Sequence, residues 1–420
     1  MTRISRRVVS TPQPVVKTPP RQSNGGAARK LEPPAKDAAA ALEGKPPPPS
    51  PSSRAERLAA LWQYARSHAP GKVELPGVPQ PPSLPGQRLV VVNKGPNQGQ
   101  PGESSIMLFD LATGRLRKKL KTEPGPHEVM VSPNGRHALA PNYGLQVQGT
   151  AAETGGGDSL TLVDLVREDA RTLRLDGWFR PHGVEWLDDS RAAVTVDGKG
   201  RDLSSGYVLI VDVQKGEVER AFRIGEGGTH LVRRAPAGDF LFASNIQGGS
   251  FSRIDLKTGE VKTLKTGKGT EGFDFSPDGT EIWTGNLEEN TISIIDVQSF
   301  TVKQTLASPG DKPIRFKFVS PNLLLVANRG SNDLSFIDPR TQQPIGRQLQ
   351  FELSRFGDGG PEADKSSVPM QIELSPDKRY AFVGNSHAGM VSVVDLKARE
   401  LAGYYLAGFK PDPLALYAAP

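Results

Sequence analysis

The chain has no cysteine. Disulfides, thiolate metal sites, iron–sulfur clusters and cysteine nucleophiles are therefore all excluded. No apolar run reaches the ~18 residues that a membrane-spanning helix needs. The start, MTRISRRVVSTPQPVV, has a basic head but no apolar stretch of the kind a secretory signal carries. A conventional signal peptide is not expected, which leaves the cytoplasm or export by a signal-less route. Aromatics are scarce at 6% and hydrophobic residues stand at 36%. The body also lacks an excess of charge. Residues 1–85 hold 13 Lys/Arg against 5 Asp/Glu, and the remainder 39 against 41. The overall +6 thus comes from the tail, so nucleic acid is not an expected partner.

What the chain has in quantity is glycine (45) and proline (37). Both are costly inside helices, so the balance points to a turn-rich β protein with a disordered part. Seventeen of the prolines fall in residues 1–85, including the run Pro46 to Pro49. Such a segment cannot bury enough apolar surface to offset its ordering entropy. Residues 1–85 are expected to be a disordered, Pro-rich basic tail. One piece breaks the pattern. Ser53 and Glu56 form a capping box, and Leu58, Leu61, Trp62 and Ala65 follow at helical spacing before Pro70 and Gly71. This predicts a short helix over 54–69, either packed on the body or presented to a partner.

Residues 86–420 are a repeat. Alternating apolar residues ending in Asp recur seven times: SIMLFD (Asp110), SLTLVD (Asp164), YVLIVD (Asp212), SFSRID (Asp255), TISIID (Asp296), DLSFID (Asp338) and MVSVVD (Asp395). A second strand signal precedes each, ending at Asn93, Asn142, Asp197, Asn245, Asn286, Asn328 or Asn385. Turns with Gly, and Ser-Pro-Asp/Asn-Gly turns, fill the gaps. Four short strands per repeat, labelled A to D from the inside outward, predict an all-β, seven-bladed β-propeller. The first repeat lacks its A strand. The C-terminal KPDPLALY has the A-strand pattern, so the last strand is expected to join the first blade and leave no free edge.

The lettering resembles the YVTN-type β-propeller repeat, found in surface-layer-like proteins, lactonase-like propellers and the haem-binding propeller of nitrite reductase. The resemblance covers about residues 86–420 and implies the fold. In lactonase-like propellers a Pro-His opens an inner strand ahead of a Pro-Asp/Asn-Gly turn, as His127 does ahead of Pro133 and Gly135. A His, an Arg and a Glu are the active groups that resemblance implies. Only His127 matches by motif. The axial His of the haem-binding branch has no specific counterpart here.

Within each repeat the starts of A strands, the ends of B strands and the B–C loops share one face. Long B–C loops (94–104, 143–158, 198–205) and the Gly- and Asp-rich link 352–368 fall there, where function usually sits. Aligning the A strands puts His127, His182, His230, Glu271, Ile314, Met370 and Asp412 at one position. Three of the six histidines thus share a place in successive repeats. Three readings stay open. His127, His182, His230 and Glu271 could ligate a divalent transition metal. With Arg233, Arg315 and Asp412 they could instead bind an organic ligand, with His127, His182 and Glu271 as catalytic candidates. Or they line a polar channel mouth. The expected partner is a small molecule or a protein at this face, with the chain a monomer.

The remaining features read as structural. His68 suits a helix C-terminus, His137 a solvated turn, and His387 the rim of the face. Trp178, Trp186 and Trp283 read as packing residues. The Asp and Asn strand ends read as turn-formers. Gly155 to Gly157 and the Gly198/Gly200 pair open no helix, so no phosphate loop is present. No Gly-x-Ser-x-Gly elbow occurs.

Overall fold

The structure is a computed structural model and describes residues 53–95, 103–144, 156–200, 202–224, 227–357 and 360–419. The tail through residue 52 and most of the first two long B–C loops lie outside these residues.

Each repeat folds as an antiparallel meander. Four separate sheets have four strands, one has five, and a nine-stranded sheet combines the first and last repeats. The architecture is all-β and β-propeller-like. The seven apolar hexapeptides are the C strands, Ser105–Asp110 through Met390–Asp395. Their terminal aspartates make the turn. Asp255 Oδ1 accepts from the N–H groups of Lys257 and Thr258 at 2.8 Å each. Asp164, Asp212 and Asp395 do the same for the second and third residues after them.

The B-strand asparagines are buried and tie B to C. Asn245 Nδ2 donates to Ser250 and Ser252, and Asn286 Nδ2 to Thr291 and Ser293. Asn328 and Asn385 reach Ser335 and Ser392 in the same way. These are structural bonds, each giving a buried amide Nδ2 its acceptor. Between neighbouring sheets the strand faces pack apolar cores. Trp178 and Trp186 join Val194, Val211 and Leu139 in one, and Trp283 joins Phe316 and Val326 in another.

The last strand, Pro411–Ala418, pairs antiparallel with Gln87–Asn93, the B strand of the first repeat. The segment before that strand, expected as tail, is built into the same sheet. The helix is Arg54–Ser67, with both bonds of the Ser53–Glu56 capping box formed. It ends two residues short of the expected 69, because His68 is extended ahead of the helix-breaking Pro70. Leu58 and Leu61 are buried, and Arg57 donates to both oxygens of Glu352 at 2.7 and 2.6 Å. Gly71–Lys72 then pairs with the outer strands of both the last repeat and the first. Val73 and Val78 pack with Leu61, Tyr404 and Leu406. The helix and the Gly71–Lys72 strand accordingly belong to the same compact unit as the sheets.

His68 caps the helix with its ring stacked on Tyr64 at 3.7 Å. His137 opens a B strand, half-buried, at the end away from the aligned histidines. His387 is exposed in the single turn Ser386–Ala388.

Candidate functional site

Inner strands open at a common height because each opening residue pairs with the end of its B strand. Pro126 faces Asn142, Pro181 faces Val196, Thr229 faces Asn245, Thr270 faces Asn286 and Pro411 faces Asn93. The next residue in each is the aligned one. His127, His182, His230, Glu271 and Asp412 are all buried.

The three imidazoles form a continuous wall. Ring centroids lie 4.8 Å apart for His127 and His182, and 3.8 Å for His182 and His230. The Tyr143 ring extends the wall, 4.7 Å from His127 and 5.5 Å from His182. His127 Nδ1 is held by the Gly125 carbonyl at 2.7 Å. His230 Nε2 lies 3.2 Å from Glu271 Oε1. The Nδ1 atoms of His182 and His230 are buried with no hydrogen-bond partner among the described residues.

Arg315 forms the floor. Its guanidinium donates to Glu271 at 3.2 Å, Glu128 at 2.8 Å and the Gln371 amide oxygen at 3.2 Å. Glu128, Arg315 and Gln371 all follow the aligned position by one residue. Lys94 pairs with Asp412 beside them.

Burial sets the protonation states. It pulls all three histidines well below their ordinary value, and the nearby cations Lys94 and Arg315 add to the effect. For His182 the neighbouring His230 and His127 are the next cause after burial. Burial pushes the Glu271 and Glu128 carboxyls up, against the pull of Arg315. The wall is therefore neutral imidazole at physiological pH.

Arg315 occupies the place between the Glu128 and Glu271 carboxylates that a cation would take. Among the described residues no group of three or more His, Asp or Glu side chains is placed to hold a metal ion. The metal reading of His127, His182, His230 and Glu271 gains no support among the described residues.

Arg233 stands two register positions deeper than Arg315. It lies further along its strand, where it donates to the Val184 and Val232 carbonyls and stands 3.9 Å from Glu185. Its position belongs to a second set of alternating sign: Glu185, Arg233, Asp274, Lys317 and Glu373. Lys317 and Glu373 are paired at 3.3 Å.

The alignment of histidines missed Glu128 and Gln371, which only a search of the next position would find. It also missed Lys94 and Tyr143, each one residue past a strand-ending Asn. Asp197 is a neighbour of the same kind. In its repeat Val196 fills the Asn place, and Asp197 accepts the Tyr143 hydroxyl at 3.1 Å.

No family model matches the chain, and no curated protein matches it in sequence. Solved structures do match in fold. One is a functionally unknown protein from Desulfotomaculum acetoxidans DSM 771, at TM-score 0.59 and 12% identity, over 80% of this chain and 99% of that one. A periplasmic gluconolactonase of Pseudomonas aeruginosa, PpgL, aligns at TM-score 0.58 and 17% identity, over 79% and 100%. The dihydro-heme d1 dehydrogenase NirN aligns at TM-score 0.54 and 16% identity, over 89% and 83%. At these identities the likeness concerns the fold.

Proposed function

We propose that the chain is a seven-bladed, YVTN-type β-propeller, closed by its C-terminal strand, that binds a small anionic organic molecule at its channel mouth. The observation that carries this reading is the wall of neutral histidines above Arg315. Two buried Nδ1 atoms there have no partner among the described residues, and a buried polar atom without a bond costs free energy that a ligand can return. The Arg315 floor, neutralised by Glu128 and Glu271, separates this mouth from the deeper charged set. A ligand therefore enters and leaves by one face. The aligned position turns apolar at Ile314 and Met370, so the mouth offers a polar wall opposite an apolar one.

A second reading is a lactonase-like hydrolase. It is favoured by the His230–Glu271 contact, in which both groups are pushed toward their neutral forms and can pass a proton between them. The gluconolactonase among the fold relatives makes lactones the first compounds to try.

The test is calorimetric titration of a panel of organic acids and lactones, with turnover followed in parallel. Saturable binding lost in His182→Ala, with the fold kept, supports the first reading. Lactone hydrolysis lost in Glu271→Gln supports the second. Neither binding nor turnover in the wild type would sink both.

A further inference from the structure

The residue before each inner strand's opening Pro or Thr has a left-handed backbone. Three repeats place glycine there: Gly125 (φ 67°), Gly228 (φ 71°) and Gly269 (φ 74°). Arg180 holds the same conformation at φ 55°, as do Lys312, Val368 and Lys410. That backbone is unfavourable for any residue with a Cβ, and a following proline makes it more so. Val368 is accounted for by its packing in an apolar core. Arg180 is not, since its side chain is 22% exposed. Strain that glycine would relieve is retained where a side chain has work to do.

Arg180 is held by Tyr143 and Asp197. Its Nη1 stands 4.0 Å from Asp197 Oδ2, the outer limit of an ion pair, and its guanidinium carbon is 5.8 Å from the Tyr143 ring centroid. Asp197 lies one residue past the repeat's structural asparagine position. It escapes the strand-C hydroxyls that hold Asn245 and Asn286, and instead accepts from Tyr143. Tyr143 in turn packs on His127 and His182. The arginine, the carboxylate and the histidine wall thus form one continuous surface. The wall supplies the second sign of a ligand, since His182 Nδ1 is buried and has no partner among the described residues.

We infer that Arg180 receives the oxyanion of the ligand, a carboxylate or phosphate, and that Asp197, fixed by Tyr143, is the internal counter-ion this oxyanion displaces. The inference rests on the anion-binding reading of the histidine wall and adds the residue that anchors the charge. Arg presents a planar fork that matches either group. Burial pushes the Asp197 carboxyl up to about 6, with Tyr143 and Arg180 the only described groups acting on it. Protonation of Asp197 therefore frees Arg180, and affinity rises as pH falls through about 6. Burial favours the neutral form of the neighbouring histidines.

The experiment is isothermal titration of the full chain with malonate and with inorganic phosphate, at pH 5 and pH 8. The wild type is expected to bind one of them, more tightly at pH 5. Malonate alone would assign a carboxylate ligand and phosphate alone a phosphorylated one. Arg180→Gly, which installs the residue three other repeats use, should bind about tenfold more weakly or worse. Its melting temperature should hold or rise. Asp197→Asn should bind more tightly at pH 8 and lose the pH dependence. Wild-type affinity in R180G, with binding lost in His182→Ala, would overturn this anchor while leaving the wall in place. No binding of either probe to the wild type would overturn both. Arg180→Lys, which keeps the charge and removes the fork, serves if R180G is unstable.

Discussion

The guanidinium of Arg315 meets the carboxylate of Glu128 at 2.8 Å, although 187 positions separate them in the chain. Both are almost fully buried, and Glu271 shares the same cation. A buried pair of this kind is weak evidence of net stabilisation, but breaking it leaves an uncompensated charge. Arg315→Met should therefore cost roughly 3–5 kcal/mol. The double variant Arg315→Met/Glu128→Gln should regain part of that. Urea unfolding near pH 7.5 measures both. A loss below about 1 kcal/mol in the single variant would mean water or a relaxed carboxylate already screens the group.

The strand Pro411–Ala418 covers Leu89, Val90 and Val91, which are wholly buried. Removing residues 411–420 strips one side of that strand of its hydrogen bonds and opens the sheet to pairing with other chains. The truncated chain should aggregate or lose its cooperative thermal transition. A sharp transition within a few degrees of the wild type would show that the strand is dispensable.

Leu61 is 2% exposed, in a core shared with Val73, Tyr404 and Leu406. Leu61→Ala should cost about 2–4 kcal/mol, as for an ordinary core leucine. An effect near zero would mean the helix unfolds independently of the body, which hydrogen exchange of residues 54–67 would show directly.

Burial holds His127, His182 and His230 well below their ordinary value, so the unfolded chain takes up protons first as pH falls below about 6.5. Each histidine then withdraws stability as pH falls. Glu185 acts the other way. Burial pushes its carboxyl up to about 7, so stability is full below its unfolded value and is lost as pH rises through about 7. The trends oppose each other near neutrality, so the informative quantity is a difference in slope. Between pH 6 and 5, His182→Leu should flatten the stability profile by roughly 1 kcal/mol per pH unit relative to wild type. Chemical denaturation at several pH values checks this. Parallel profiles would show that His182 is protonated in the folded state.

The repeat was legible because its signals are local. An Asp two and three residues before N–H groups it can bond, and an alternation ending at it, fix the C strands from Asp110 to Asp395. The inner strands followed from the same register, and with them the common height of the histidines. What could not be read is what depends on side-chain reach. Whether imidazoles aim nitrogens at a point or pack ring against ring is decided by rotamers, and here neighbouring rings pack tilted, at 59° and 42°. Arg315 and Arg233 lie two positions apart in register, on inner strands separated by Thr270–Phe275. One joins the aligned set and the other the alternating set beyond it. The strap at Gly71–Lys72 was hidden because a two-residue strand has no periodicity.

That strap and the last strand have a consequence in time. Gly71 pairs with Leu406, and Arg88 with Tyr417, so strands made early wait for strands made about 330 residues later. At ordinary rates of synthesis the delay is on the order of twenty to sixty seconds. Throughout it, the edge of Gln87–Asn93 has no native neighbour. The first repeat to leave the ribosome is the last to be completed.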